Sequence, residues 1–284
     1  MMKRAHLLRR VLGGDQRNRW SVRFAALVAL SLGFAFPFIA DADPASAGSE
    51  RVFQWNIQGG CSGTGNCGGL APATTANYLV ALSNPKPLVL TFNEVCGSQY
   101  SELYNYLSSQ GYQGRFQLTA GGVNCGTNDG TGIHGNAIFQ PGAVVASSSY
   151  YYVNRPPTGD VRGLYCLTTS IFGLVRNSCV THLDNSSSYT SLQNGEAAWI
   201  MTAGIGSTPT KLGGDLNSQS PASWGAFNEV DAARAKTFNA KGTLNQKLDW
   251  FFGSKANHTG FGSPSRYCNA ALSDHCALGG IFYT

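Results

Sequence analysis

The sequence predicts an α/β sandwich with mixed sheets, and three observations carry that prediction. Short apolar stretches that read as strands outnumber those that read as helices. The two kinds are intermixed along the chain, which argues against separate α and β regions. Most of the strand-like stretches are bounded by Gly, Pro, Asn or Ser turns.

In chain order the strands are expected at 52–57, 88–92, 136–139, 144–152, 164–172, 174–183, 211–216, 248–252 and 278–283. The first alternates apolar and polar residues, as a half-buried strand does; the second, Leu-Val-Leu-Thr-Phe, is continuously apolar and reads as buried. Helices are expected at 74–82, 99–107 and 189–205. The second puts Tyr100, Leu103, Tyr104 and Leu107 on one face, with Gly111 as its stop. The third runs through Leu192, Ala197, Trp199, Ile200 and Met201. The Gly-rich stretches 59–69 and 121–132 read as surface loops, and no internal repeat is present.

The N-terminus does not belong to this pattern. Lys3, Arg4, Arg9, Arg10, Arg17, Arg19 and Arg23 precede an apolar run over 24–40, followed by Asp-Ala-Asp-Pro and Ala45-Ser46-Ala47. That order predicts a secretory signal peptide and leader over 1–47 and one domain over 48–284. A membrane anchor is the alternative; the run is near the minimum for spanning, and Pro37 interrupts it. Arg9-Arg10 is compatible with a twin-arginine signal.

Removing the leader removes most of the basic charge. The chain holds 20 Lys/Arg and 15 Asp/Glu; seven and three lie in residues 1–47, leaving 13 and 12. A nearly neutral mature chain gives no electrostatic argument for nucleic-acid binding.

All eight cysteines lie beyond the leader. An even number behind an export signal suggests disulfides. Cys61/Cys67 and Cys268/Cys276 would close small loops, Cys166/Cys179 would staple a hairpin, and Cys96/Cys125 follows by elimination. A zinc site is the alternative, but no CxxC pair is present.

Glu94, Asp215, Asp249 and Asp274 stand beside apolar runs at expected strand ends. A carboxylate there is costly to desolvate unless it is paired or binds a cation. Such a set, with the amides Asn56 and Asn217, suits a hard ion such as Mg²⁺ and the electrostatic attack of water on a phosphorus ester. His182 and His275 stand at expected strand ends and fit a general acid and base. His134 precedes the strand at 136–139 and is a weaker candidate for substrate contact, while His258 reads as solvated.

The ordered segments Gln54-Trp55-Asn56-Ile57, Phe92-Asn93-Glu94-Val95, Gly135-Asn136-Ala137-Ile138, Thr181-His182-Leu183, Gly213-Gly214-Asp215-Leu216-Asn217, Leu248-Asp249-Trp250 and Ser273-Asp274-His275 resemble those of the endonuclease/exonuclease/phosphatase superfamily. The resemblance spans about 51–283. It implies the deoxyribonuclease-I-like fold, a four-layer α/β/β/α sandwich of two packed mixed sheets. It implies a metal site at Asn56, Glu94 and Asp274. Asp215 and Asn217 would position the nucleophile and bind the phosphoryl group, Asp274 and His275 would activate water, His182 would serve the leaving oxygen, and Asp249 would support a catalytic histidine. Leu216 stands where the family usually has an aromatic residue, and Asn93 where it often has Gln. The acidic partner that some nuclease members place beside the acid histidine is not identifiable.

The expectation is therefore an exported, Mg²⁺-dependent phosphodiesterase (Mn²⁺ or Ca²⁺ being alternatives) that cleaves DNA, with RNA as a further candidate substrate, nucleic acid as its substrate partner and no obligate protein partner. The resemblance to small secreted nucleases carries the substrate. His134, Asn136, Arg155 and Arg162 are candidate substrate contacts; Arg176 and the tyrosines at 150–152 add weak support. A sphingomyelinase-type enzyme, meeting membrane lipid through residues 224–227 or Phe251-Phe252, is the alternative. A non-catalytic binding protein is a third reading, disfavoured by the retained Asp-His pair.

Overall fold

Alternation in the first strand sorts its side chains onto two faces, and the molecule is built outward from both. The computed structural model describes residues 48–59, 69–121, 125, 132–157, 159–204, 210–221, 224–231, 235–240 and 243–284. The proposed leader lies outside them, as does the pairing of Cys61 with Cys67.

Strand β1 (Ser49–Asn56) pairs in parallel with β2 (Val89–Cys96). Its sheet continues through β4 (Ile133–Pro141) to the edge strand β3 (Tyr112–Gly121), and on the other side through β14 (Ala277–Tyr283) to β13 (Gly260–Tyr267). The second sheet has the order β5 (Ala143–Tyr151), β6 (Gly163–Ile171), β7 (Leu174–His182), β8 (Thr210–Asp215), β12 (Asp249–Ser254), β9 (Phe227–Glu229). Here β7 and β8 are the parallel pair. Both six-stranded sheets are thus mixed, and a small hairpin, β10 (Phe238–Ala240) with β11 (Thr243–Gln246), stands apart.

Three apolar clusters make the four layers. Phe53 and Trp55 of β1, with Leu90 and Phe92 of β2, pack under helices α1 (Ala71–Leu82) and α2 (Gly97–Ser109). Val52, Val89 and Leu278 face Val180, Leu167 and Phe251 between the sheets. Leu212, Trp250 and Phe252 pack under α3 (Ser187–Trp199) and the π turn Ile200–Gly204 that extends it. The predicted helix 189–205 is therefore two pieces, as far as described.

At one end of the sheet–sheet interface, Glu50 forms ion pairs with Lys211 and Arg176. Glu50 and Lys211 are 5% and 0% exposed, so the pairing offsets the desolvation of both. At the other end lies the polar cluster described below. Disulfides join Cys96 to Cys125, Cys166 to Cys179 and Cys268 to Cys276. The second links residues directly opposite in the β6–β7 register.

Strands β3, β9, β10, β11 and β13 were not expected. β3 and β13 are sheet edges, with exposed Leu118 in one and Pro264 with a register shift in the other. β13 lacks the apolar alternation of a strand buried on one face; β3 has it, with Tyr112, Phe116, Leu118 and Ala120 set between polar residues.

Candidate active site

Register brings the polar residues to one rim of the sandwich. Asn56 stands opposite Asn93 in the parallel β1–β2 pair, and His182 opposite Asp215 in the parallel β7–β8 pair. Asp249 begins β12 opposite Asp215. Four strands therefore deliver Asn56, Glu94, His182 and Asp215 from their C-terminal ends. His275 arrives just before β14, with its backbone carbonyl accepting from Trp55 Nε1 at 3.0 Å. Ser273 anchors the same turn, its hydroxyl donating to the Asn56 carbonyl at 2.7 Å and accepting from His275 N–H at 3.0 Å.

The approach of β8 to the facing sheet and to its neighbour β7 at this rim requires small residues. A Cβ on Gly213 would run into Thr91 Oγ1 and the Phe251 ring, and one on Gly214 into the Thr181 carbonyl. Gly213-Gly214 thus lets β8 sit close enough for Asp215 to reach both histidines.

Asp215 is the centre. Its Oδ2 lies 3.5 Å from His275 Nε2 and 3.6 Å from His182 Nε2. On its far nitrogen, Nδ1, His275 is held by Asp249 Oδ2 at 2.7 Å. Asp274 Oδ1 is 3.9 Å from His275 Nε2, so the carboxylate that orients the imidazole is Asp249. Burial alone would lower the His275 pKa, but Asp249 and then Asp215 outweigh it and hold it at about 10. Burial raises Asp215 to about 7, with Asp249 adding to the effect and His275 opposing it. His182 is pushed well below the ordinary imidazole value, by burial first and then by Arg162, His134 and His275. Burial and neighbouring charge thus push the two imidazoles in opposite directions.

Asn217 completes the motif. Its backbone N–H donates to Asp215 Oδ1 at 2.8 Å, and its side-chain amide to the Leu183 carbonyl at 2.9 Å, with His182 Nε2 3.3 Å away. Asn217, Glu94 and Gln58 all hold positive φ, at 46°, 55° and 47°. Such conformations are strained for residues with a Cβ and cluster at functional sites. At Glu94 the strain coincides with a register shift against β4 between Phe92 and Val95.

Beneath the site is an amide clasp. Asn93 Oδ1 accepts from the Asp215 backbone N–H at 2.8 Å and from Gln54 Nε2 at 2.7 Å. Asn93 Nδ2 donates to the Thr181 carbonyl and to Asn136 Oδ1, both at 2.8 Å. One fully satisfied side chain therefore ties β2 to both β7 and β8. Gln54 Nε2 also lies 3.4 Å from Asp249 Oδ1. Thr237 adds a second support, its hydroxyl accepting from the backbone N–H groups of Leu248 and Asp249 at 3.1 and 3.0 Å.

The expected metal set is only partly assembled. Oxygen and nitrogen donors of Glu94, His182 and Asp215 lie within 4.8 Å of one another, as do those of Asp215, Asp249 and His275; Asp274 belongs to neither group. Asn56 Oδ1 accepts from Gln58 N–H, which fixes its amide so that Nδ2 donates at 3.0 Å to both Glu94 Oε1 and Asp215 Oδ2. Asn56 here bridges two carboxylates through its amide nitrogen. Glu94 and Asp274 remain partly exposed, and burial, with Glu94 among the further causes, raises Asp274. Crowded carboxylates of this kind fit a divalent cation.

The remaining candidates divide. His134 is buried beside Glu94, its Nδ1 4.0 Å from Asp160, which also pairs with Arg162 at 3.5 Å. Asn136 is 1% exposed and sealed beneath Asn93, which makes it a support and not a contact surface. Arg155 is exposed and makes no hydrogen bond or ion pair among the described residues. His258, expected in solvent, is instead 1% exposed and stacked near Phe282. The proposed lipid-contact residues Trp224, Phe227, Phe251 and Phe252 are all buried, Trp224 stacking on Phe252 at 4.8 Å. Sequence reasoning missed Gln54, Thr237 and Ser273, whose roles depend on partners distant in the chain. Asn93 was visible as a departure from the family pattern but without a role.

No family model and no curated protein matches the chain. Solved structures do. A truncated Caenorhabditis elegans TDP2 aligns with a TM-score of 0.60 and 19% identity over 83% of this chain and 98% of that one. Danio rerio TDP2 complexed with a single-strand DNA product gives 0.62 and 15% over 83% and 99%. An endonuclease/exonuclease/phosphatase from Bacteroides vulgatus gives 0.63 and 15% over 82% and 98%. The architecture is the deoxyribonuclease-I-like α/β sandwich.

Proposed function

From that fold as premise, we propose that the chain is an exported, divalent-metal-dependent phosphodiesterase that cleaves DNA, with RNA as a second substrate. The observation that carries this reading is the Asp249–His275 pair aimed at Asp215, with a second imidazole, His182, on the other side of the same carboxylate. In its neutral form, a carboxylate-held imidazole facing a second carboxylate can take a proton from a water placed between them. Asn217 would hold the phosphoryl group, and His182, donating from a buried ring, would stabilise the leaving oxygen. Glu94 and Asp274 would hold the cation, Mg²⁺ by preference, which supplies charge neutralisation at the phosphoryl oxygens. Three disulfides support export, and no described helix is long and apolar enough to cross a membrane.

The nucleic-acid substrate is supported by the DNA product named with the Danio rerio neighbour and by the resemblance in sequence. The lipid reading loses its support, because the apolar residues on which it relied are core. Incubating the mature protein with plasmid DNA, RNA, sphingomyelin and an inositol phosphate, each with Mg²⁺ and with chelator, tests the proposal. Metal-dependent nicking is expected; lipid cleavage without nicking contradicts it.

A further inference from the structure

The loops that follow β7 and β8 leave a second feature beside the catalytic rim. The two strands are parallel neighbours, and their continuations stay together: Leu183 N–H donates to the Asp215 carbonyl at 3.0 Å, and Asn217 Nδ2 to the Leu183 carbonyl at 2.9 Å. Between the first turns of α3 and the segment after Asn217 opens a cavity of about 370 Å³. Asn185, Ser191 and Asn194 line one side and Asn217, Ser218 and Gln219 the other. Apart from Pro221, every lining side chain ends in an amide or a hydroxyl; none is charged or aromatic.

That lining selects among ligand chemistries. No aromatic face is offered for a stacked base, and no cation for a second phosphate. The N-terminus of α3 does not supply the missing positive charge unopposed, since Asp184 Oδ1 already accepts from Ser186 N–H there at 2.8 Å. One donor is built in. Asn194 is 4% exposed, and its Oδ1 accepts from Trp224 Nε1 at 3.2 Å. The indole is a donor only, so the amide cannot be the other way round. Its NH₂ group is then fixed, in a residue that lines the cavity, and donates to no described residue. Neutral donors and acceptors around a cavity that shares Asn217 with the phosphoryl site suit a sugar ring esterified to the scissile phosphate: its ring and ester oxygens accept from the amides and hydroxyls, and a ribose adds its 2′-hydroxyl.

We propose that this cavity seats the pentose of the nucleotide attached to the scissile phosphate. The inference rests on the phosphodiesterase reading above and adds a sugar-recognising subsite to it. Ser191 is exposed on α3, so Ser191→Trp would fill the cavity without entering the core, and Gln219→Ala would remove one lining amide. The test compares kcat/KM on an oligonucleotide, as DNA and as RNA, and on an inositol phosphodiester, with kcat/KM on bis(p-nitrophenyl) phosphate, a diester with no sugar, for the wild type and both variants at matched melting temperature. The oligonucleotide-to-diester ratio is expected to fall about tenfold or more in Ser191→Trp and less in Gln219→Ala, the scale of a lost shape or hydrogen-bond fit. A ratio unchanged in both variants, with the wild type active, overturns the subsite and leaves the phosphodiesterase standing. A wild type inactive on every diester with Mg²⁺ and Mn²⁺ overturns the underlying reading, and the subsite with it. A ratio that shifts only for an inositol phosphodiester assigns the cavity to a cyclitol and overturns the pentose.

Discussion

At the scale of single residues, the site depends on which carboxylate holds which imidazole. Asp249, opposite Asp215 in the β8–β12 register, grips His275 Nδ1 at 2.7 Å and leaves Nε2 facing Asp215. In chelator-treated protein the His275 ring should titrate near 10, and Asp249→Asn should bring it far down, since burial then acts with less opposition; NMR of the ring protons measures both. The sign for stability follows. A pKa raised from 6.5 to about 10 on folding contributes stability that is fully present below pH 6.5 and is lost as pH rises through 10. Chemical denaturation of the chelated protein across that window should show a steeper loss for the wild type than for Asp249→Asn. The polar types and order of Asp215, Asn217, Asp249 and His275 were legible in the sequence because chemistry restricts them to few alternatives. The partner of His275 was legible only through the resemblance, which gives Asp249 the support of a catalytic histidine; residue order alone points to Asp274, since Asp249 comes close only through sheet pairing. The amide orientation of Asn56 was hidden, because it is set by the Gln58 backbone N–H in a strained turn.

At the scale of elements, two buried polar devices lock the sheets together, one at each end of their interface. Asn93 joins β2 to β7 and β8 at the catalytic end. Asn93→Leu should lower kcat by about 10²-fold, through misplacement of Asp215 and His182, with a smaller change in KM. Asn93→Gln, which keeps the amide, should recover part of that loss, and a loss in melting temperature without any kcat effect would show the clasp to be structural only. At the opposite end, Glu50→Gln would leave Lys211 and Arg176 facing one another without a carboxylate. Removing one partner of a buried pair costs about 3–5 kcal/mol, measurable by urea denaturation, with activity per folded molecule retained. Central strands were readable from their apolar runs. The edge strand β13 was not, because a strand with one unpaired side and little burial has no need of the alternating pattern, whereas β3, whose Tyr112, Phe116 and Leu118 alternate with polar residues, did carry a readable signal.

At the scale of the whole molecule, charge and architecture make separate statements. The chain beyond the proposed leader carries 13 basic and 12 acidic residues, so a nucleic-acid complex would release few counterions. The log–log salt dependence of KM for DNA should be shallow, with a slope of about +2 if Arg155 and Arg162 are the main phosphate contacts; a slope several times steeper would require a basic surface that the composition does not supply. The layered fold was legible because strand and helix signals were intermixed and the motif order matched a known one. Substrate was not, since the same sandwich hosts several phosphoric ester hydrolases and the difference lies in loop-borne pockets. The central claim is that His275, held by Asp249, is the proton acceptor of a metal-dependent phosphodiesterase. Its most direct test is the rate of plasmid nicking by wild type and His275→Ala, with Mg²⁺ and with chelator, after circular dichroism shows both to be folded. The account predicts nicking by the wild type only with the metal, and a rate lower by roughly 10²–10⁴-fold in the variant. Full metal-dependent activity in folded His275→Ala would contradict it.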